Sequence, residues 1–211
     1  MNDPRPRRMF PLGSVLLPGA PLPLHIFEPR YQELLNQALE DDRTFGVVLI
    51  SRGFEVGGGD SRTSVGTVAH IDDHRRFDDG RAAVACRGTD QLIEVVDWLP
   101  DDPFPVALTV DRAAAEFAGD EPERLDAARA ALDALLSTAH DLGRIEAVPE
   151  LEISPDPATA AWELAAVSPI STFDRQRVLE AVTVADRLEI LRASLTDLAV
   201  DLRLMSELDE R

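Results

Sequence analysis

Along residues 1–110 the apolar positions come in short runs cut by glycine, proline or polar residues, the pattern of strands and turns. Phe10–Leu17 and Phe45–Ile50 are apolar runs, Val65–Ile71 alternates weakly, and Arg81–Arg87 is small and β-compatible. Gln91–Trp98 mixes Leu, Ile and Val with polar residues, and Phe104–Val110 follows Pro103 and Pro105. One helix is predicted among them, over Pro29–Leu39, with Leu34, Leu35 and Ala38 on its apolar face. Gly57, Gly58 and Gly59 and the Asp78-Asp79-Gly80 stretch mark turns.

Beyond about residue 112 the period lengthens to that of helices. Pro122–Asp141 carries Leu125, Ala128, Leu132, Leu135 and Leu136 at helical intervals. Asp156 followed by Pro157 reads as an N-cap and first helical position, opening a helix that holds Trp162, Leu164 and Val167. Ser171 with Asp174, and Thr183 with Asp186, have the spacing of capping boxes. In the last helix Leu188, Leu191, Leu195, Leu198, Leu202 and Met205 step by three and four. Such a stripe packs against neighbouring helices or forms the seam of a homo-oligomer; at barely three heptads the first reading is preferred. The expected organisation is a β-rich part over 1–111 and a helical bundle over 112–211, an α+β chain.

Composition narrows the chemistry. The 211 residues hold 39 acidic and 21 basic side chains, a net charge of −18, and every basic residue is Arg. With no Lys, a Walker A loop, a kinase-type lysine, a Schiff base and a Ser-Lys dyad are all excluded. Neither half is basic, so phosphate backbones and anionic membranes are poor partners, although Arg5, Arg7 and Arg8 cluster near the start. The single Cys86 forms no internal disulfide, which suits a reducing compartment. Met9–Leu24 is uncharged after three Arg, but Pro11, Pro18, Pro21 and Pro23 would break a signal helix, and no run is long enough to span a bilayer. A cytoplasmic protein is expected.

Few side chains suggest catalysis. His70, Asp72 and His74 would share a face of a continuous strand and could hold zinc or iron with open positions. The preferred reading is a polar hairpin ending at Asp78-Asp79-Gly80, in which the strand does not persist through His74. Cys86 could pair with His25 or His140 as a nucleophile, but within Ala82–Cys86 a buried strand residue is preferred. Neither a Gly-x-Ser-x-Gly elbow nor a His-Glu-x-x-His pair occurs. The chemistry points to a non-catalytic chain with no cofactor.

The most distinctive stretch is Phe10-Pro-Leu, Val15-Leu-Leu-Pro-Gly and Leu22-Pro-Leu-His-Ile-Phe-Glu-Pro-Arg-Tyr31. Physically it predicts a strand, a proline-rich bend, a second short strand over Leu24–Phe27, and a helix opened by Pro29. Glu28 lies near the helix N-terminus, where negative charge is favoured. This stretch resembles the opening of the Lon protease N-terminal, substrate-binding domain. The resemblance continues through Phe45–Ile50, Val65–Ala69, Arg87-Gly-Thr89 and Trp98–Pro105, and resumes at Asp174–Glu180 and Asp186–Leu191. It implies a PUA-like β pseudobarrel followed by an α-helical bundle. It also implies a stand-alone relative without the ATPase and Ser-Lys peptidase of full-length Lon.

The function so implied is recognition: a non-catalytic module or adaptor that binds unfolded or partly folded polypeptides through exposed apolar segments, on a groove or sheet edge. A separate ATP-dependent protease is the further partner. Phe27, Tyr31, Arg52 and Phe54 are the candidate contact residues, with Phe27 read more readily as core. The alternatives are a PUA-like RNA-binding module, which the charge disfavours, and a metal-dependent enzyme on His70, Asp72 and His74.

Overall fold

The computed structural model describes residues 3–52 and 61–209. The chain divides into two compact units, Met1–Ala113 and Ala114–Arg211.

The first unit contains six strands and one helix: β1 (Arg5–Leu12), β2 (Pro21–Ile26), α1 (Pro29–Glu40), β3 (Thr44–Arg52), β4 (Ser61–Arg76), β5 (Ala82–Leu99) and β6 (Val106–Asp111). They form a mixed sheet in the order β2-β5-β4-β3-β1-β6, and a further β5–β6 pairing closes five of the strands into a ring. β1 runs parallel to β3 and every other pairing is antiparallel. Closure depends on the length of β5, whose first part pairs with β2 and whose last part pairs with β6. The sheet is a pseudobarrel with β2 laid against it.

Side-chain alternation along β1 feeds two apolar clusters. Phe10 and Leu12 join the larger one, where Phe10 stacks on Tyr31 at 4.0 Å between centroids and meets Phe45 at 5.8 Å. Met9 points the other way, to Val48, Val68, Ile93 and Ala107. The helix α1 seals the larger cluster with Tyr31, Leu34, Leu35 and Ala38, all buried.

Three local expectations are corrected. The first strand starts at Arg5 and stops at Leu12, rather than running Phe10–Leu17. Leu16 and Leu17 are still buried, but as a crossing loop whose polar backbone finds other partners. Thr67 Oγ1 donates to the Leu16 carbonyl at 2.6 Å, Gly19 N–H to the Gly88 carbonyl at 2.9 Å, and Gly88 N–H to the Ala20 carbonyl at 3.0 Å. For the same reason Arg81–Arg87 and Gln91–Trp98 are not separate strands: Gly88 is where the loop crosses a continuous β5. The third correction concerns β4, which does persist past His74 to Arg76, because Asp73–Arg76 pair with Ala82–Ala85 in a hairpin. The hairpin turns at Asp78-Asp79-Gly80, with Gly80 at φ +84° and Phe77 N–H donating to the Arg81 carbonyl at 2.9 Å.

The second unit holds four helices: α2 (Glu121–Asp141), α3 (Pro157–Val167), α4 (Thr172–Glu180) and α5 (Val184–Asp209). The capping signals act as read. Asp156 accepts from Thr159 N–H at 2.9 Å, Ser171 from Asp174 N–H at 3.0 Å, and Thr183 from Asp186 N–H at 3.0 Å. Helix α5 packs along α2 and against α3 and α4, and Leu188, Leu191 and Leu195 are completely buried by it. Its last turns instead present Leu204, Met205 and Leu208 to solvent. Together the two units make the chain α+β.

Candidate functional site

The Pro29 start of α1 fixes what surrounds Tyr31. Proline at the first helical position pre-sets φ, and the Glu28 carbonyl accepts from Tyr31 and Gln32 N–H at 3.0 Å each. Glu28 does not cap the helix with its side chain; its carboxylate takes Arg30 Nε at 2.9 Å. That ion pair holds the Arg30 guanidinium over the Tyr31 ring, 4.6 Å from its centroid. Tyr31 is therefore covered on one side by Phe10 and capped by a cation, and burial pushes its hydroxyl up to about 12, with Arg30 and Arg62 opposing and Glu28 and Asp101 reinforcing.

Arg62 ties a second aromatic into this neighbourhood. It lies on β4, with its guanidinium 4.2 Å from the centroid of Trp98 on β5. Arg52, the last residue of β3 and exposed, pairs with Ser61, one rung from the Ile50–Arg62 pair. Phe27, immediately before Glu28, is 59% exposed, which corrects its assignment to the core. Phe27 follows β2 in the alternation that buries Leu24 and Ile26 and exposes His25, so it falls on the exposed side.

The result is two guanidinium–aromatic pairs, Arg30 with Tyr31 and Arg62 with Trp98, and an exposed Phe27 three residues before Arg30. Among the candidate residues, Tyr31 forms the buried floor beneath Arg30, Phe27 is exposed beside Glu28, and Arg52 neighbours Arg62. Phe54 and the Gly57–Gly59 turn lie outside the described residues. Arg62 carried no signal in the sequence, and Trp98 and Asp101 carried one only as part of the Trp98–Pro105 resemblance; the pairing of Arg62 with Trp98 depends on tertiary structure.

The other constellations do not assemble. His70 and Asp72 touch, Nδ1 to Oδ1 at 3.2 Å, but Asp72 also takes Arg87 Nη2 at 2.9 Å. These two bonds, Arg87 first, hold the Asp72 carboxyl below its ordinary range. A register shift between Ile71 and Asp73 inserts an extra residue in β4, which breaks the alternation needed to bring His74 onto the same face. No group of three His, Cys, Asp or Glu side chains among the described residues is placed to hold a metal ion. Cys86 is buried in the larger cluster, and burial pushes its thiol up to about 12, far from a reactive thiolate.

The sheet edge is also constrained. Gly88 N–H bonds the Ala20 carbonyl, so by alternation Leu22, Leu24 and Ile26 face β5 with their backbone groups, while Pro21, Pro23 and His25 face the outer edge. Both prolines therefore place a missing N–H on the open side, which blunts it against an added strand. No described helix is long and apolar enough to cross a membrane.

The family model for the ATP-dependent protease La (LON) substrate-binding domain matches residues 7–197. This chain belongs to that family. A Lon protease from Phenylobacterium zucineum (strain HLK1) is 29% identical over 208 residues, covering 96% of this chain. The chain spans about a quarter, 26%, of that relative's length. The crystal structure of a Lon N-terminal domain protein from Xanthomonas campestris is similar at a TM-score of 0.67 and 27% identity, covering 90% of this chain and 98% of that one. The N-terminal domain of a Mycobacterium avium complex Lon protease shares the fold at a TM-score of 0.65 and 19% identity, covering 92% and 99%. Membership of a Lon substrate-binding domain family supports a substrate-recognition role for the chain.

Proposed function

We propose that the chain is a non-catalytic recognition module that takes exposed apolar segments of unfolded or partly folded polypeptides onto the patch formed by Phe27, Arg30, Arg62 and Trp98, with Arg52 at its border. The observation that carries this reading is Phe27, a large apolar side chain 59% exposed three residues before Arg30, whose guanidinium lies over Tyr31, in a chain of a substrate-binding family. An apolar side chain of the bound segment would bury itself against the Phe27 ring. The guanidinium groups would take backbone carbonyls or aromatic rings of the same segment. The prolines on the outer edge of β2 favour this side-chain patch over strand addition. A separate ATP-dependent protease is the partner such a module would serve, and the cytoplasm is where we place it.

Titration of a fluorescently labelled, permanently unfolded polypeptide with the purified chain tests this, with anisotropy as the readout at low and moderate salt. The expected result is saturable binding that survives moderate salt. Replacing Phe27 by Ser should weaken it about tenfold or more, since burying one phenylalanine is worth about 1.5–3 kcal/mol. Thermal stability should hardly change, because the ring is exposed. Absence of saturable binding, or equal binding by Phe27→Ser, overturns the reading.

A further inference from the structure

A cleft of about 490 Å³ opens in the first unit beside the start of β1 and the turn that follows α1. Three guanidinium groups line it, and two of them are hydrogen-bonded to carboxylates. Arg8 donates to Asp41 and Asp42 at 3.0 Å each, and Arg5 grips Asp111 bidentately at 3.0 and 2.8 Å. Gln91 Nε2 is a second donor to Asp111 Oδ1, at 2.6 Å. Arg7 has no comparable partner. Its side chain is only 10% exposed, its Nε is buried with no hydrogen-bond partner, and its Nη2 lies 3.6 Å from Asp111 Oδ1, an oxygen already taken twice. A buried cation without hydrogen-bonded counter-charge is costly to fold, and burial, aided by Arg5, pulls its pKa down.

We propose that Arg7 anchors a peptide carboxylate in this cleft. A guanidinium fork matches the two oxygens of a planar carboxylate. Asp41, Asp42 and Asp102 line the same cleft and oppose a doubly charged phosphate about twice as strongly as a singly charged carboxylate. Phe104 and Val106 supply an apolar wall for the carbon to which the carboxylate is attached. The carboxylate is the α-carboxylate of a chain end or the side chain of an acidic residue, which present the same two oxygens.

The test follows the arginine Nε–Hε signals of the full chain by NMR, with the Arg7 signal assigned from Arg7→Met. Four probes are titrated: N-acetyl-dialanine, its C-terminal amide, N-acetylglutamic acid α-amide, and inorganic phosphate. One or both carboxylate probes should move the Arg7 signal saturably, with the amide at least about tenfold weaker. The two carboxylate probes separate a chain end from an acidic side chain. Arg7→Met should lose this binding while unfolding at the same or a higher urea concentration, because an uncompensated buried charge has been removed. Arg7→Lys keeps the charge, lacks the fork, and should bind several-fold more weakly; it replaces Arg7→Met if that variant does not fold. An Arg7 signal unmoved by carboxylates, equal binding of the amide, tighter binding of phosphate, or unchanged carboxylate binding by Arg7→Met overturns the assignment. None of the probes carries a large apolar side chain and Phe27 is not in the cleft, so this outcome is independent of the patch around Phe27.

Discussion

A Cβ on residue 66 would sit 2.1 Å from the Val47 carbonyl oxygen and 2.7 Å from Val48 Cγ1. The first of these is backbone on the paired strand β3, which cannot rotate away. Gly66→Ala should therefore destabilise the chain by about 2–3 kcal/mol, read as a lower urea midpoint. Gly46, by contrast, faces the thioether of Met9, the movable part of a flexible side chain, and Ile93 Cδ1. The sequence presents Gly46 and Gly66 alike, as glycines in strands. What separates them is the atom each one meets, and that depends on strand pairing. Phe27 carries the same lesson: its exposure comes from the side on which it falls after Ile26 and not from its own hydrophobicity.

At the scale of elements, what the sequence states most clearly is where helices begin. Pro29, Asp156-Pro157, Ser171 and Thr183 all open helices where the residues themselves supply the cap or the fixed φ, so the information is local. The Asp156 cap is also sensitive to acid. Hydrogen bonds from the Thr159 N–H, then from its hydroxyl, hold the Asp156 carboxyl below its ordinary range. A carboxyl lowered by folding adds stability that is fully present above its unfolded pKa of about 3.9 and is lost as pH falls through the lower folded value. Asp156→Ala should lower the urea midpoint at neutral pH and flatten its decline in acid. Asp156→Asn should restore the neutral midpoint while staying flat, since its amide oxygen still accepts from Thr159; a midpoint that falls in acid as steeply in both variants as in the parent chain would show that other carboxyls dominate. Strand ends are legible to a lesser degree. β1 and β5 differ from their sequence-based limits because Gly88 and the loop at Leu16–Ala20 satisfy each other's backbone, a pairing between segments about 70 residues apart in the chain, and β4 differs because Asp73–Arg76 pair with Ala82–Ala85.

For the whole molecule, the leucine stripe of α5 poses the clearest alternative, between a bundle core and an oligomer seam. Leu195 is completely buried within the single chain, as are Leu188 and Leu191. Leu195→Asp should then unfold the helical bundle, at a cost of about 4 kcal/mol or more, instead of giving a folded chain of lower mass. Circular dichroism with light scattering distinguishes the two, and a folded monomer from an oligomeric parent would assign the stripe to an interface. The net charge of −18 acts at this scale too, as a field that opposes the approach of polyanions, while individual arginines pair with local carboxylates or aromatic rings.

The sequence by itself determined the fold class, the helix starts, the leucine face of α5 and, through one long motif, the family. Each of these is written in residues adjacent in the chain or repeated at a fixed period. Tertiary structure alone decided that Arg62 covers Trp98, that a bulge at Asp72 separates His74 from His70, that β2 turns its prolines outward, and that Arg7 is buried without a full partner. Those depend on the register between strands distant in the chain, where a shift of one residue exchanges the two faces of a sheet, and neither composition nor periodicity specifies that register.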